Sequence, residues 1–329
     1  MEEKPLIGIT PGDPCGIGPE VVAKALATGL PYASCRPVVI GSVAAVALGA
    51  EVAGVGLEIR RIEDLSQAGR EEGAVDVLDP DNLEAAEIEP GVAKASCGRA
   101  NGLWLQRAAD LAMSGRIAAS VMAPVNGEAL AKGGVRGGLP GTDPRSLYLT
   151  LLSGPLRVVH VFDHVPLEDV CRNLSQELVT RAIIRTAESL ERWGIANPRV
   201  GVAGLNPHAL GRQERESIGP GVTTAAEAGV AVEGPIAPDT VFRHCIEGRY
   251  DVVIAMFHDQ GHIAIKTWGF EGNCAVFLGA PYLFLSVGHG TAYDIAGRGV
   301  ADHQMMLSAI LQAASLASGR GFCRTEPSV

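Results

Sequence analysis

The sequence lacks the features that mark nucleic-acid-binding and membrane proteins. Its 329 residues carry a formal net charge of -10, the pI is about 5.3, and no Lys/Arg run stands out. This balance disfavours contact with a phosphate backbone. No uninterrupted apolar run is long enough to span a bilayer, and the opening MEEKP shows no signal peptide. We therefore expect a cytoplasmic protein that binds neither nucleic acid nor membranes.

Cysteine is present, but not in a pattern that would build a disulfide framework or a zinc finger. The number is odd, no CxxC occurs, and the seven residues are scattered along the chain at Cys15, Cys35, Cys97, Cys171, Cys245, Cys274 and Cys323. Scattered cysteines of this kind suggest reduced thiols in the cytosol.

Strand-like and helix-like segments alternate throughout the chain. The patterns predict strands over 6–10, 37–40, 117–122, 156–162, 200–203, 252–257 and 275–278, and helices over 95–113, 176–193 and 300–318. Such alternation predicts an α/β fold with a mostly parallel sheet. The apolar content of 47% supports a substantial core, and the length allows one large domain or two ordinary ones.

The segment His258-Asp259-Gln260-Gly261-His262 is the most informative feature of the chain. It follows six apolar residues, 252–257, which are typical of a strand buried on both faces of a parallel sheet. Ligand sites in such sheets lie at the carboxyl ends of the strands. A His-Asp pair there can bind a metal or move a proton, although a strand that simply ends in a polar turn is an equally good interpretation.

Two more histidines stand just past apolar runs. His164 follows the strand predicted over 156–162, and His208 follows the strand predicted over 200–203. Strand ends at one edge of a sheet converge, so His164, His208 and His258 are candidates for one site. Three neutral imidazoles with an open fourth position suit catalytic zinc and also other divalent metals. The alternative is that each histidine is an ordinary loop residue.

Two glycine-rich segments join strands to helices. Residues 10–20 favour a tight turn, with anion binding at the following helix as the alternative. Residues 288–302 would let a ligand lie against the backbone. In that segment His289 can stack on a base, and Asp294 can accept ribose hydroxyls or cap a helix. A plain connection into the last helix is an equally good interpretation.

Six stretches along the chain resemble the 4-hydroxythreonine-4-phosphate dehydrogenase family. In order, they are TPGDPCGIGPE, APVN, LNPH, GPIAPDT, MFHDQGH and GHGTAYDIAGRG. The resemblance implies two α/β/α domains with mostly parallel sheets and an interdomain active-site cleft, as in isopropylmalate dehydrogenase. It implies a terminal domain of residues 1–125 plus 275–329, and a central domain of residues 126–274 with the metal site and the dimer contact. It also implies a homodimer acting on a small molecule.

The resemblance further implies roles for particular residues. One divalent metal, with zinc favoured over Mn, Co, Fe or Mg, would be bound by His164, His208 and His258. The adenosine end of the cofactor would lie on His289, Gly290, Thr291, Asp294 and Asp302. An acidic residue near the ribose favours NAD, with NADP as the alternative. Lys266 would bind substrate and act in catalysis, with Asp259 as a second proton-relay candidate.

Several residues depart from the pattern of family members that act on a phosphorylated substrate. Gly141-Thr142-Asp143-Pro144 replaces Gly-His-Thr-Glu, Ala275 replaces Asn, Phe284 replaces Arg, and Gly288 replaces Asp. The loss of that Arg removes a bidentate phosphate clamp. Thr142, Asp143, Arg145, Lys266 and Phe284 are therefore the predicted substrate contacts. Arg136 and Arg145 would hold a second carboxylate, and Phe284 would face a ring.

These departures favour a branch that resembles terephthalate dihydrodiol dehydrogenase. The expected reaction is NAD-linked oxidation of a cis-dihydrodiol carboxylate to a β-keto acid, which loses CO₂ and gives a catechol such as protocatechuate. One alternative is a dehydrogenase of 4-hydroxythreonine-4-phosphate or of a four-carbon phospho-sugar acid. A second alternative, from another class, is a non-catalytic metabolite-binding protein of the same fold.

Overall fold

The computed structural model describes residues 4–69, 71–135, 138–143, 146–269 and 272–323. The chain forms two compact units. Unit 1 comprises residues 1–144 and 280–318, and unit 2 comprises residues 145–279 and 319–329. Within the described residues, no helix combines the length and the apolar character needed to cross a membrane.

Unit 1 contains a parallel sheet with helices packed on it. Its strands are β1 (Leu6–Thr10), β2 (Arg36–Ile40), β3 (Glu58–Arg61), β4 (Ala74–Leu78), β5 (Ala119–Met122) and β12 (Phe284–Val287). Their order is β3-β4-β2-β1-β5-β12, and the paired neighbours run parallel. Its helices are α1 (Gly18–Ala27), α2 (Leu30–Ser34), α3 (Val43–Ala53), α4 (Ala95–Met113), α5 (Gly127–Lys132) and α11 (Gln304–Ala317).

Unit 2 contains a mixed sheet. Its strands are β6 (Tyr148–Ser153), β7 (Leu156–Phe162), β8 (Val200–Ala203), β9 (Val232–Ile236), β10 (Val252–Phe257) and β11 (Cys274–Leu278). The order is β11-β6-β7-β10-β8-β9, antiparallel at the two pairings of β6 and parallel from β7 to β9. Its helices are α6 (Leu167–Asn173), α7 (Gln176–Arg192), α8 (Gly219–Glu227), α9 (Val241–Ile246) and α10 (His258–Trp268). The predicted α/β class with mostly parallel sheets is confirmed.

Burial explains why these segments adopt their structures. The first five residues of β10 are fully buried, as expected for a strand covered on both faces of a parallel sheet. In α7 the buried residues Val179, Ala182, Ile183 and Leu190 recur at intervals of three, four or seven, so one stripe faces the core. The core of unit 2 gathers Val158 of β7 with residues from β8, β10 and α10.

The unit boundaries differ from the predicted domain boundaries at residues 125/126 and 274/275. Helix α5 belongs to unit 1 because it packs closely on α4, where a Cβ at Gly98 would collide with the backbone of Ala129. Strand β11 belongs to unit 2 because it pairs with β6.

The C-terminal residues also lie in a different unit from the one predicted. The resemblance implies that residues 275–329 belong to the terminal domain, whereas the described residues 319–323 group with unit 2. Gly321 N donates to Trp193 O at 2.8 Å, and the ring of Phe322 meets the Trp193 ring edge-on and lies under the Arg157 guanidinium. Tertiary contacts of this kind leave no mark in local composition.

Candidate functional site

The carboxyl ends of three parallel strands meet at one edge of the sheet in unit 2. Strand β10 lies between β7 and β8, and its Phe257 pairs with Phe162 of β7. Asp163 and His258, each the next residue along its strand, therefore stand side by side. The convergence of strand ends that the sequence predicts is confirmed for β7 and β10.

Asp163, His164 and His258 form a group of possible metal ligands. One donor atom from each lies within 4.8 Å of the others, and the two imidazole centroids are 4.9 Å apart. Oδ1 of Asp163 is buried and lies 3.1 Å from Nδ1 of His164. A buried carboxylate oxygen beside two imidazoles is a donor set that suits a divalent cation.

Asp259 fixes the edge of the His258 ring. Its Oδ1 lies 2.6 Å from Nδ1 of His258. A carboxylate there favours a proton on Nδ1, which leaves the Nε2 lone pair free for a metal. The hydrogen bond with His258 lowers the pKa of Asp259, so the group is a carboxylate at neutral pH. This contact accounts for Asp259 as an orienting group; its predicted proton-relay role stays a prediction.

His208 stands apart from this group. It lies in the 3-10 turn Pro207–Ala209 after β8, its side chain is exposed, and its φ of 55° is repeated at Ala209. Two consecutive non-glycine residues with positive φ are strained, and such strain concentrates at functional sites. The donor group found among the described residues does not include His208. The set of three histidines therefore stays a prediction, of which the structure brings together His164 and His258.

Glu214 shapes the turn that carries His208, and the sequence analysis missed it. The carboxylate is buried and accepts three hydrogen bonds of 2.7 Å, from Leu205 N, Asn206 N and Asn206 Nδ2. Burial by itself would raise the pKa of Glu214, but the hydrogen bonds from Asn206 and Leu205 bring it below the ordinary value. Because Glu214 lies in a polar stretch of the sequence, no local pattern indicates that its side chain is buried.

Gln260 joins two of the strand ends, and it too was missed. Its Oε1 accepts from Met256 N at 2.7 Å, and its Nε2 donates to Gly204 O at 2.8 Å. The side chain therefore connects the end of β10 to the residue after β8. In the sequence, nothing distinguishes Gln260 from the other residues of the HDQGH segment.

Lys266 lies on α10 with its side chain exposed, eight residues beyond His258. Its positive charge contributes to lowering the pKa of Asp259 and of His262. Lys266 therefore adds positive charge to the electrostatic environment of these two groups. Its predicted roles in substrate binding and catalysis stay predictions.

The predicted cofactor segment in unit 1 is anchored to the first βα turn. Ile17 N donates to Thr291 O at 3.0 Å, and the Tyr293 hydroxyl donates to Asp13 Oδ2 at 2.6 Å. Burial raises the pKa of Asp13, although the hydrogen bond from Tyr293 opposes that shift. The two glycine-rich segments singled out in the sequence therefore pack on each other.

A second anchor holds the end of this segment to α1. Lys24 Nζ donates to Gly299 O and Ala301 O at 2.9 and 2.8 Å, and to Oε1 of buried Glu20 at 2.8 Å. That same carboxylate oxygen accepts from Ala301 N at 2.8 Å. The backbone of residues 299–301 is thereby held in one place.

The predicted cofactor residues differ in their exposure and in the hydrogen bonds that they already make. Nδ1 of His289 lies 2.9 Å from Gly290 O, and its buried Nε2 has no partner among the described residues. Gly290 and Asp294 are exposed. Asp302 Oδ1 accepts from Gln304 N at 2.9 Å at the start of α11, which is a structural use for this carboxylate. Cofactor contacts at these positions stay predictions.

Some of the predicted substrate residues lie in the described part of the chain and others do not. Arg136 and Arg145 lie outside the described residues. Thr142 Oγ1 donates to Leu139 O at 2.6 Å, and Asp143 is exposed. Phe284 is 3% exposed, with Tyr282 edge-on at 6.3 Å. A contact between Phe284 and a substrate ring stays a prediction that requires this side chain to become accessible.

The fold and the site together define the class of protein. It is an α/β protein in which imidazole and carboxylate groups suited to a divalent metal stand at the carboxyl ends of parallel strands, the usual place for a ligand site in this architecture.

Comparison with known proteins identifies the family. The model of the pyridoxal phosphate biosynthetic protein PdxA family matches residues 33–313, and the chain belongs to this family. It is 40% identical over 334 residues to the D-threonate 4-phosphate dehydrogenase of Cupriavidus necator, covering 96% of this chain and 98% of that one.

Solved structures agree with this assignment. A 4-hydroxythreonine-4-phosphate dehydrogenase from Burkholderia phymatum is 41% identical, with a TM-score of 0.86, over 96% of this chain and 99% of that one. A terephthalate 1,2-cis-dihydrodiol dehydrogenase from Burkholderia xenovorans is 31% identical, with a TM-score of 0.68, over 94% and 98%.

These similarities change the ranking of the expected substrates. The chain is more similar to the two enzymes named for phosphorylated substrates than to the dihydrodiol dehydrogenase. The prediction of a dihydrodiol substrate depends on a few substrate-contacting positions. Similarity over nearly the whole chain supports the alternative prediction, a phosphorylated hydroxy acid. The family predicted from the sequence motifs is confirmed.

Proposed function

We propose that this protein is an NAD-dependent, metal-dependent dehydrogenase of a four-carbon, 4-phosphorylated hydroxy acid such as D-threonate 4-phosphate or 4-hydroxythreonine-4-phosphate. The observation that carries the proposal is the Asp163–His164–His258 donor group, found in a chain 40% identical to a D-threonate 4-phosphate dehydrogenase over almost its full length. Both relatives named for phosphorylated substrates are dehydrogenases, which supports an oxidoreductase acting on a CH–OH group.

The residues that would hold the metal are His164 and His258, joined by His208 as the family resemblance implies and by Asp163 from the geometry. Zinc suits imidazole and carboxylate ligands, and Mn, Co, Fe or Mg are the alternatives. A divalent ion bound there would supply Lewis-acid chemistry to a substrate hydroxyl and carbonyl. The segment 288–302 would hold NAD, which would supply the hydride acceptor.

The protein's own side chains orient the reactants and provide charge. Asp259 holds the His258 ring with Nε2 free. Lys266 carries an exposed cation on the same helix as His258, and a cation there can bind the substrate's phosphate or carboxylate. In a threonate, oxidation of the hydroxyl β to the carboxylate gives a β-keto acid, which loses CO₂ readily. Decarboxylation is therefore part of the proposal.

The replaced residues of the usual phosphate-binding set limit how the phosphate is held. The Arg expected at position 284 is Phe, and its side chain is 3% exposed. The phosphate must therefore be bound by other cations, because a buried dianion without a partner costs several kcal/mol. We assign that role to Lys266, whose side chain is exposed.

NAD reduction with D-threonate 4-phosphate, 4-hydroxythreonine-4-phosphate and a cis-dihydrodiol carboxylate, each with added divalent metal, tests the proposal. We expect turnover of at least one phosphorylated acid and its loss in His258→Ala. Efficient oxidation of the dihydrodiol alone would overturn the substrate assignment. No reduction with any of the three would favour a non-catalytic metabolite-binding protein.

We further propose a homodimer located in the cytoplasm. The family resemblance implies the dimer contact on unit 2, and Leu210, Ile263 and Leu167, at 79%, 66% and 53% exposure, are apolar side chains of this unit that are available to it. Light scattering at micromolar concentration should give twice the monomer mass of 34.2 kDa. A monomeric mass would contradict the proposal.

A further inference from the structure

Four imidazoles form a row from the interior of unit 2 to its surface. Between neighbouring ring centroids the distances are 4.8 Å from His160 to His262, 3.6 Å from His262 to His258, and 4.9 Å from His258 to His164. His160 is 1% exposed, whereas the side chain of His164 is 81% exposed. Only the two outer rings, His258 and His164, belong to the donor group described above.

The contact between His262 and His258 is a parallel stack. The interplanar angle is 16°. The two residues are four apart on α10, so they share one face of the helix. Nδ1 of His262 lies 3.0 Å from the carbonyl oxygen of His258, and this hydrogen bond restricts rotation of the His262 ring. One flat face of the His258 ring is therefore covered by a second ring whose own orientation is held.

His160 supports His262 from the interior. Nδ1 of His160 lies 3.0 Å from Leu149 O, which accepts the hydrogen bond. Gly261 makes this packing possible, because a Cβ there would collide with Nε2 of His160. Burial lowers the pKa of His160 to about 3, and burial followed by the charge of His258 lowers the pKa of His262. Both supporting rings are therefore uncharged at neutral pH.

We propose that His262, supported by His160, is a positioning residue that holds the plane of the His258 imidazole for metal binding. Asp259 holds the ring edge through Nδ1, and His262 holds the ring face. Together the two contacts fix the orientation of the His258 ring, and with it the direction of the Nε2 lone pair that would bind an ion. The inference rests on the proposed function in one respect only, which is that His258 binds a divalent metal.

Zinc binding to the metal-free full-length protein tests this inference without substrate or NAD. The comparison uses the wild type, His262→Phe, His262→Ala and His258→Ala, titrated with zinc in a competing chelator. A Phe ring can make the same stack but offers no nitrogen. We expect His262→Phe to bind zinc within about threefold of the wild type, and His262→Ala to lose about 10–100-fold, the range found for groups that orient a ligand.

Gly261→Ala provides an independent variant that removes no imidazole. The added methyl displaces His160, so we expect weaker zinc binding although alanine favours a helix over glycine. Matching near-UV circular dichroism of all variants establishes that each is folded. Equal losses in His262→Phe and His262→Ala would overturn the inference, because a nitrogen of His262 would then be required.

Two further outcomes also overturn the inference. If His262→Ala binds zinc as tightly as the wild type, the stack does not position His258. If the wild type binds no zinc, the site itself is wrong, even where NAD reduction is observed. A wild type that oxidises none of the tested substrates but shows the expected order of zinc affinities would contradict the proposed function and leave this inference standing.

Discussion

At the scale of single residues, the site depends on polar side chains whose hydrogen bonds hold the backbone of the strand ends in place. Glu214 accepts three hydrogen bonds from the turn that carries His208, and Gln260 connects the ends of β8 and β10. Neither residue need touch a ligand. Each holds backbone that carries a histidine, so we expect substitutions here to act on stability and on metal binding together.

Glu214→Gln should destabilise the protein by about 1–3 kcal/mol at neutral pH, because the NH₂ group that replaces one carboxylate oxygen cannot accept the hydrogen bond from Asn206 Nδ2. The folded-state pKa of Glu214 lies below its ordinary value of 4.5. Its contribution is therefore present above about pH 4.5 and is lost as the pH falls through the folded-state value. Urea unfolding should show that the free energies of unfolding of the wild type and Glu214→Gln differ at pH 7 and become more similar at acid pH. A difference that does not change with pH would contradict this account.

Lys266→Met should lower kcat/KM for the phosphorylated acid by at least about tenfold, since a hydrogen bond to a charged group contributes ~1.5–3 kcal/mol. Lys266→Arg keeps the charge and is the matched control, for which we expect a smaller loss. Steady-state rates with saturating NAD measure both. Unchanged kcat/KM in Lys266→Met would remove this residue from the substrate site.

At the scale of elements, a buried ion pair explains why strands β3 and β4 were not predicted from the sequence. Strand β4 contains Asp76, which is 2% exposed and accepts from Arg60 Nε at 2.9 Å and Gly69 N at 2.7 Å. The partner Arg60 lies in β3, an edge strand with charged residues and no apolar run. Such a pair is stable only when both strands are in place, so neither segment has a strand pattern by itself.

The close packing of α1 on α3 leads to a prediction about Gly49. A Cβ at this position would collide with the backbone of Pro19. Gly49→Ala should therefore destabilise the protein by about 1–3 kcal/mol, although alanine is the better helix former. Gly127→Ala, at the start of α5 where the added Cβ meets nothing within 4 Å, is the matched control and should be neutral or slightly stabilising. Thermal unfolding distinguishes them, and equal melting temperatures would argue against tight packing at Gly49.

At the scale of the whole molecule, the burial of the cysteine side chains indicates how closely the interior of each unit is packed. Cys15, Cys35, Cys97, Cys245 and Cys274 are buried, whereas Cys171 and Cys323 are partly exposed. None of the seven is in a disulfide.

Thiol titration with Ellman's reagent should therefore detect no more than two fast-reacting groups in the native protein and all seven after unfolding in guanidinium. Slow labelling of the other five would report transient opening of the packed interior. Rapid reaction of more than two thiols in the folded protein would contradict the packing described above.

The sequence by itself determined the fold class, the family and many of the elements. The predicted bounds of β1, β7, β8, β10 and α4 agree with the structure, because strong local patterns end at turn residues or at polar groups. Helix α11 begins at Gln304 rather than at residue 300 because Lys24 holds the backbone of residues 299–301 outside the helix. That interaction is made between residues far apart in the chain.

Only the tertiary structure decided how the site is assembled. The placement of β10 between β7 and β8 brought Asp163 beside His258, and it placed His160 behind His262. The sequence predicted His164 and His258 from their positions at strand ends, but His160 looked like an interior strand residue and Asp163 like part of a turn. Whether a polar side chain supports a site depends on which strands are neighbours and on what is buried beside it, and local sequence patterns carry neither.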